Sequence, residues 1–361
     1  MVTSAQTMLI TPMMIAQGTN LKGRSDAPLI LHCHIPKTAG ITVSAGLKRS
    51  FELCHLHHYH PDPLYILTTE VLRDLLEINP ALLSISSHHL RTFPLSVAGR
   101  PTFLMTFLRR PEDLFVSQLK FVQREFLFLS AEIKSAWPKD TPRLPLRELA
   151  RQYLATVASS EDYCPQTRFF CNPAAGAMFG LSDGHQYGLS SYEMACSILK
   201  RFHFVGIVEE MKKSLEVLSE RLLQRGIKVY FDLSLKLNSS HADSRPDWLT
   251  PDDEVGRGVI EANKSDRLLH QQFLTEVLGA HSALRKRRWL GFKPAAADAT
   301  EALSSGWREG AQSLVNSARL YWARRTDQTQ PSTVPPLCSD LLDVRAAEAV
   351  ANGRSAANLV H

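Results

Sequence analysis

Two apolar runs of strand length set the frame of this chain. The first opens at Leu29-Ile30-Leu31 and continues through His32-Cys33-His34-Ile35. The second is Thr102 to Leu108, with the sequence TFLMTFL. Each stops at basic, turn-forming residues: Pro36-Lys37-Thr38-Ala39-Gly40 after the first, Arg109-Arg110-Pro111 after the second. Such runs predict buried strands of a sheet covered on both faces. Between and beyond them the apolar positions step at helical intervals. Helices are predicted at about 40–51 and 68–78, and after Pro111, where Leu114, Phe115, Leu119, Val122 and Phe126 share a face. Another is predicted over 146–158, with Leu146, Leu149, Tyr153 and Leu154 on one side. The stretch Phe202 to Met211 reads as a strand followed by a helix to about 225, and Val229 to Leu233 as one more short strand. Residues 137–145 and 164–190, rich in Pro, Gly, Asn and charged residues, read as loops. Strands alternating with helices predict an α/β fold with a parallel sheet.

Composition fits one large α/β core: 361 residues, 44% of them hydrophobic. The expected organisation is a flexible leader over 1–27, a main domain over 28–280, a basic helical extension over 281–325 and a disordered tail over 326–361. The extension opens on the basic knot Arg285-Lys286-Arg287-Arg288 and includes a helix near 307–325. The net charge of +5 suits an anionic small molecule and is too small to argue for nucleic acid. Six irregularly spaced cysteines, at 33, 54, 164, 171, 196 and 338, read as reduced thiols of a cytoplasmic protein, with a Cys164–Cys171 bridge as the one alternative. No apolar run reaches transmembrane length, and the first residues make a poor signal peptide.

The junction after the first strand has the chemistry of a phosphate or sulfate site. The first amides of a helix lack intrahelical partners, and the helix dipole is positive there. Lys37 adds a charge, Thr38 and Thr42 add hydroxyls, Pro36 stiffens the turn, and Gly40 allows a ligand close to the backbone. The nucleotide patterns G-x-x-x-x-G-K-[ST] and G-x-G-x-x-G are both absent. The second junction, Arg109-Arg110-Pro111 with Ser117 one and a half turns on, offers a planar guanidinium and a hydroxyl beside a helix start.

Together the segments His34-Ile35-Pro36-Lys37-Thr38-Ala39-Gly40-Ile41-Thr42 and Arg109 to Ser117 resemble the carbohydrate sulfotransferases, in particular the heparan sulfate 2-O- and 6-O-sulfotransferases and their bacterial relatives. In that family the first loop is close to H-I-P-K-T-G-G-T-T and the second element to L-R-D-P-x-x-R-x-x-S. The resemblance implies a P-loop-like parallel sheet flanked by helices, with extra helices toward the C-terminus. It implies 3′-phosphoadenosine 5′-phosphosulfate (PAPS) as sulfuryl donor. Pro36, Lys37, Thr38, Ala39, Gly40, Ile41 and Thr42 then hold the 5′-phosphosulfate, and Arg109 and Ser117 the 3′-phosphate. Ala39 stands where the family has Gly, Ile41 where it has Thr, Arg110 where it has Asp and Leu114 where it has a second Arg. Val205-Gly206-Ile207-Val208-Glu209 also resembles a family strand, with Glu209 and Glu210 read as structural. Asn238-Ser239-Ser240 and Asn263-Lys264-Ser265-Asp266 resemble later family elements and equally suit turn or helix caps.

Transfer to a sugar hydroxyl needs a proton acceptor, and histidine suits neutral pH. The resemblance assigns that role to His88, with His89 as the alternative; neighbours on an extended segment point to opposite sides. Lys37 completes the catalytic set by stabilising the leaving phosphate oxygen. The crowded segment Cys54-His55-Leu56-His57-His58-Tyr59-His60 lacks a second group at zinc spacing. It reads as a polar loop after the first helix, with an imidazole or two lining the acceptor cleft; no metal is expected. The implied function is PAPS-dependent O-sulfation of a carbohydrate or glycoconjugate. A nucleotide-dependent small-molecule kinase and a non-catalytic sulfotransferase-like binding protein are the competing readings. The acceptor itself and the oligomeric state are not legible.

Overall fold

A computed structural model describes residues 27–59, 65–128, 134, 137–157, 164–171, 191–231 and 245–289. The expected leader, the Asn238-Ser239-Ser240 element, the 307–325 helix and the tail lie outside them, as does most of the 164–190 loop.

Strand β1 is Leu29–Cys33, and all five residues are buried. It leads through the basic loop into α1, Gly40–Phe51. A short 3-10 turn then gives β2, His55–His58, followed by α2, Thr69–Ile78. The Thr68 side chain caps α2 by accepting from the Val71 amide. Next come β3, Ser84–Ser87, the two-residue β4, Ser96–Val97, and the long β5, Arg100–Leu108. Helix α3, Pro111–Glu125, starts on the proline, where a missing amide costs nothing. Then follow α4, Leu146–Val157, the short α5, Pro165–Phe170, α6, Ser191–Leu199, and β6, Phe204–Ile207. Three helices close the described chain: α7, Met211–Leu223, α8, Glu254–Ala262, and α9, Lys264–Trp289. Helix α9 runs through position 281 without a break.

Five strands pair in parallel in the order β2-β3-β1-β5-β6, and β4 adds an antiparallel rung to the start of β5. The α/β class is therefore observed. From β1 the chain moves outward to β2, returns to β3, then crosses to β5 on the far side of β1. That reversal beside β1 opens a crevice at the carboxyl ends of the strands, the usual ligand position in open parallel sheets.

The sheet separates two apolar layers. On one face Leu29, Leu31, Ile85 and Leu104 pack with Leu72, Leu76, Phe202 and Phe273. On the other Ile30, Phe103, Met105 and Phe204 pack with Val43 and Leu47 of α1 and Leu215 and Leu218 of α7. Among the described residues no helix is long and apolar enough to cross a membrane.

Three expectations are corrected. Residues 227–231, which include the described part of the strand expected over Val229 to Leu233, form no strand. Their apolar alternation packs on α1 instead: Ile227 and Val229 are buried, the Tyr230 amide donates to Ser50 Oγ at 2.8 Å, and the Phe231 ring lies against Gly46. His55 to His58, expected as a loop, is strand β2, in register with Ser84–Ser87 of β3. Part of the expected 164–190 loop is helix α5, begun by Pro165.

Candidate functional site

The predicted residues gather at the carboxyl edge of the sheet. The β1–α1 loop follows β1, His88 and His89 follow β3, and Arg109 follows β5. Parallel pairing sets these ends side by side: Cys33 is opposite both Ser87 and Thr106.

The loop after β1 is tightly wound. Lys37 and Ala39 both take left-handed backbone conformations, with φ of 66° and 60°. A side chain there is strained. Thr38 is buried, and its hydroxyl donates to the Ile35 carbonyl at 2.8 Å, so it braces the loop from within. The first amides of α1 face this loop; its first turn holds no acid, and Lys48 and Arg49 sit in its last. Gly40 is needed for a reason other than ligand approach: a Cβ there would fall 1.7 Å from His34 Nε2. The imidazole of His34 occupies that space.

The two motifs touch. Arg109 Nη1 donates to the Lys37 carbonyl at 3.1 Å, tying the end of β5 to the loop after β1. The Lys37 ammonium lies 5.0 Å above the ring of Phe121 on α3. Ser117 is half-buried on α3. Leu114 is fully buried, so the position taken by arginine in the resembled family is a core position here. Arg110 pairs with Asp113 at 3.5 Å.

His88 and His89 go to opposite sides. His89 Nδ1 donates to the Tyr65 carbonyl at 3.2 Å, and its ring is ringed by His58, Tyr59 and Tyr65. The His88 ring lies with its centre 3.9 Å from that of His34, tilted by 30°, beside the loop. Its Nδ1 lies 2.7 Å from the His34 carbonyl, which can only accept; Nδ1 therefore carries the proton and Nε2 the lone pair.

Behind His88 lies a row of buried imidazoles and hydroxyls that the sequence reading missed. His32 Nδ1 bonds Ser86 Oγ at 3.0 Å, and His55 Nδ1 bonds Ser84 Oγ at 2.7 Å. Ser44 of α1 joins His55 Nε2 at 3.0 Å and His57 Nδ1 at 2.9 Å. Burial pushes His32 and His88 down to about 3, with repulsion from neighbouring histidines adding to it, and His57 to about 4, with the Lys48 charge adding to it; His34 and His55 also fall well below the usual histidine range. The row is uncharged at neutral pH. Its only advance signal was the density of His and Ser in short segments that end beside the loop.

An open cleft of about 330 Å³ adjoins the loop, lined by Ile35, Pro36, Arg91, Gln118, Pro165, Arg168 and Phe169. Arg91 lies 3.6 Å over the Phe169 ring and donates to the Phe169 carbonyl at 3.1 Å. Burial lowers it to about 10, so it is a cation at neutral pH. The cysteines at 33, 54, 164, 171 and 196 are free, so Cys164 and Cys171 form no bridge.

No family model matches this chain, and no curated protein does. The functional reading therefore rests on the residues and their arrangement.

Proposed function

We propose that this protein is an O-sulfotransferase that moves the sulfuryl group of PAPS to a hydroxyl of a carbohydrate. The observation that carries the reading is the Arg109–Lys37 contact at 3.1 Å. It joins two anion-binding motifs, distant in sequence, at the reversal point of a parallel sheet. A P-loop-like sulfotransferase fold belongs to the same proposal, supported by the central place of β1 and the helix that begins where its loop ends.

In this reading the loop amides and Lys37 take the 5′-phosphosulfate, and Arg109 with Ser117 takes the 3′-phosphate. The acceptor oxygen forms a bond to sulfur as the bond from sulfur to the 5′-phosphate oxygen breaks. The hydroxyl proton passes to His88 Nε2, and Lys37 steadies the charge left on the phosphate. An imidazole held near 3 is a weak base. A polyanionic donor beside it favours the protonated form and raises its affinity for the proton. Arg91 and Arg168 in the adjoining cleft favour an acceptor that carries an anionic group.

The test is calorimetric titration with 3′-phosphoadenosine 5′-phosphate, ADP and ATP. A preference for the 3′-phosphorylated nucleotide over ADP and ATP, abolished in Arg109→Ala while weaker binding persists, supports the donor. Equal or tighter binding of ATP, or no binding of any of them, overturns the proposal.

A further inference from the structure

We infer that Gln166 and Asp266 form a positioning relay that orients Arg109 toward the 3′-phosphate of the donor. The inference rests on the donor reading above. Strand β5 ends at Leu108, whose last ladder partner is Ile207 of β6. The peptide of Arg109 lies one residue beyond and needs partners of its own. Gln166 supplies both: its Oε1 accepts from the Arg109 amide at 2.8 Å, and its Nε2 donates to the Arg109 carbonyl at 2.8 Å. This two-point grip acts as a strand partner would, fixing the residue from which the guanidinium projects.

Gln166 is in turn fixed from the other side. Its amide donates to Asp266 Oδ2 at 3.0 Å, and the Thr167 amide donates to Oδ1 at 2.6 Å. Gln166 and Asp266 are both fully buried. A buried amide and a buried carboxylate carry a desolvation cost that apolar side chains of the same volume avoid. What the polar pair adds is direction. The same helix, α9, reaches the segment twice more: Arg267 pairs with Glu112 at 3.1 Å, and His270 Nε2 bonds Glu209, whose other oxygen accepts from the Arg110 amide at 2.8 Å. Residues 266, 267 and 270 of one helix thus hold residues 109 to 112.

Neither Gln166 nor Asp266 touches the nucleotide in this account; both act through Arg109. The test is a cycle of Gln166→Met and Arg109→Ala, alone and combined, with Kd measured for 3′-phosphoadenosine 5′-phosphate and for ADP. Gln166→Met is expected to weaken the 3′-phosphorylated nucleotide roughly tenfold and to leave ADP unchanged, the loss of one oriented hydrogen-bonded contact. In the Arg109→Ala background it is expected to cost less than about twofold, because the relay then has nothing to aim. Equal losses in both backgrounds, equal losses for both nucleotides, or no loss at all overturn the relay. If Gln166→Met lacks a cooperative unfolding transition, Asp266→Asn replaces it, with the same expected dependence on Arg109 and the same refuting results. Wild-type protein that binds the two nucleotides equally overturns the donor reading, and the relay with it, and is told apart by arising before any substitution is made.

Discussion

Acidification should unfold this protein well above the pH at which carboxylates titrate. His32, His57 and His88 hold native values of about 3, 4 and 3, against an ordinary 6.5. Below 6.5 each binds a proton when the chain unfolds and not while it is folded, so the unfolded state gains as pH falls. The stabilisation is fully present above about pH 7 and is lost progressively below 6.5. At about pH 5, roughly 1.5 units lower, each histidine costs about 2 kcal/mol at about 1.36 kcal/mol per unit. The three together then cost about 6 kcal/mol, comparable with the total stability of an ordinary domain, about 5–15 kcal/mol. His34 and His55 act in the same direction. Urea unfolding, followed by tryptophan fluorescence between about pH 7.5 and 5, should show stability falling with a slope of about three protons or more. His32→Asn, weaker at neutral pH through the lost Ser86 bond, should reduce that slope by about one proton. A slope below about one proton in the wild type would refute the uncharged, buried row.

Other substitutions test the loop and the base. Ala39→Gly relieves a left-handed backbone and should raise stability by roughly 0.5–1 kcal/mol, read as a higher unfolding midpoint. Gly40→Ala drives a methyl into His34 and should cost about 1–3 kcal/mol, much of it recovered when combined with His34→Ala; no recovery would refute that packing. His88→Ala should cut turnover about 10²- to 10⁴-fold and leave Kd for 3′-phosphoadenosine 5′-phosphate nearly unchanged. His89→Ala, outside the loop but packed among aromatic rings, should lower the melting temperature and spare most of the turnover per folded molecule. The reverse pattern would exchange the two roles.

What was legible in the sequence follows from how side chains advertise burial. Leu29–Cys33 and Arg100–Leu108 are buried along nearly their whole length, so their strands announce themselves. Helices α1, α2, α3 and α4 keep a single apolar face and were found within a residue or two. Strand β2 was hidden because its sequence, His-Leu-His-His, resembles a solvated loop. Its burial becomes tolerable only through serines on β3 and α1, a condition invisible in either segment alone. Residues 227–231 failed in the opposite sense: period-two apolarity says that alternate residues are covered, not that a strand covers them. At the site, the two motifs and the His88–His89 pair were visible as local patterns. Gln166 and the His34–Gly40 contact were not, because each is a meeting of residues from separate elements; Asp266 lay in a segment already singled out, but its partners on α5 were not legible there.

The histidine–serine row has a consequence for how the chain finds its fold. Apolar strands can slide past one another by a residue or two and still bury oil against oil. Here Ser86 must meet His32, and Ser84 must meet His55. A slip of one residue along β3 would put Ile85 in the place of Ser84 or of Ser86 and leave at least one imidazole facing an apolar side chain. The row thus works as a key cut across three strands: misaligned sheets are rejected by the same buried polarity that leaves the aligned one vulnerable to acid.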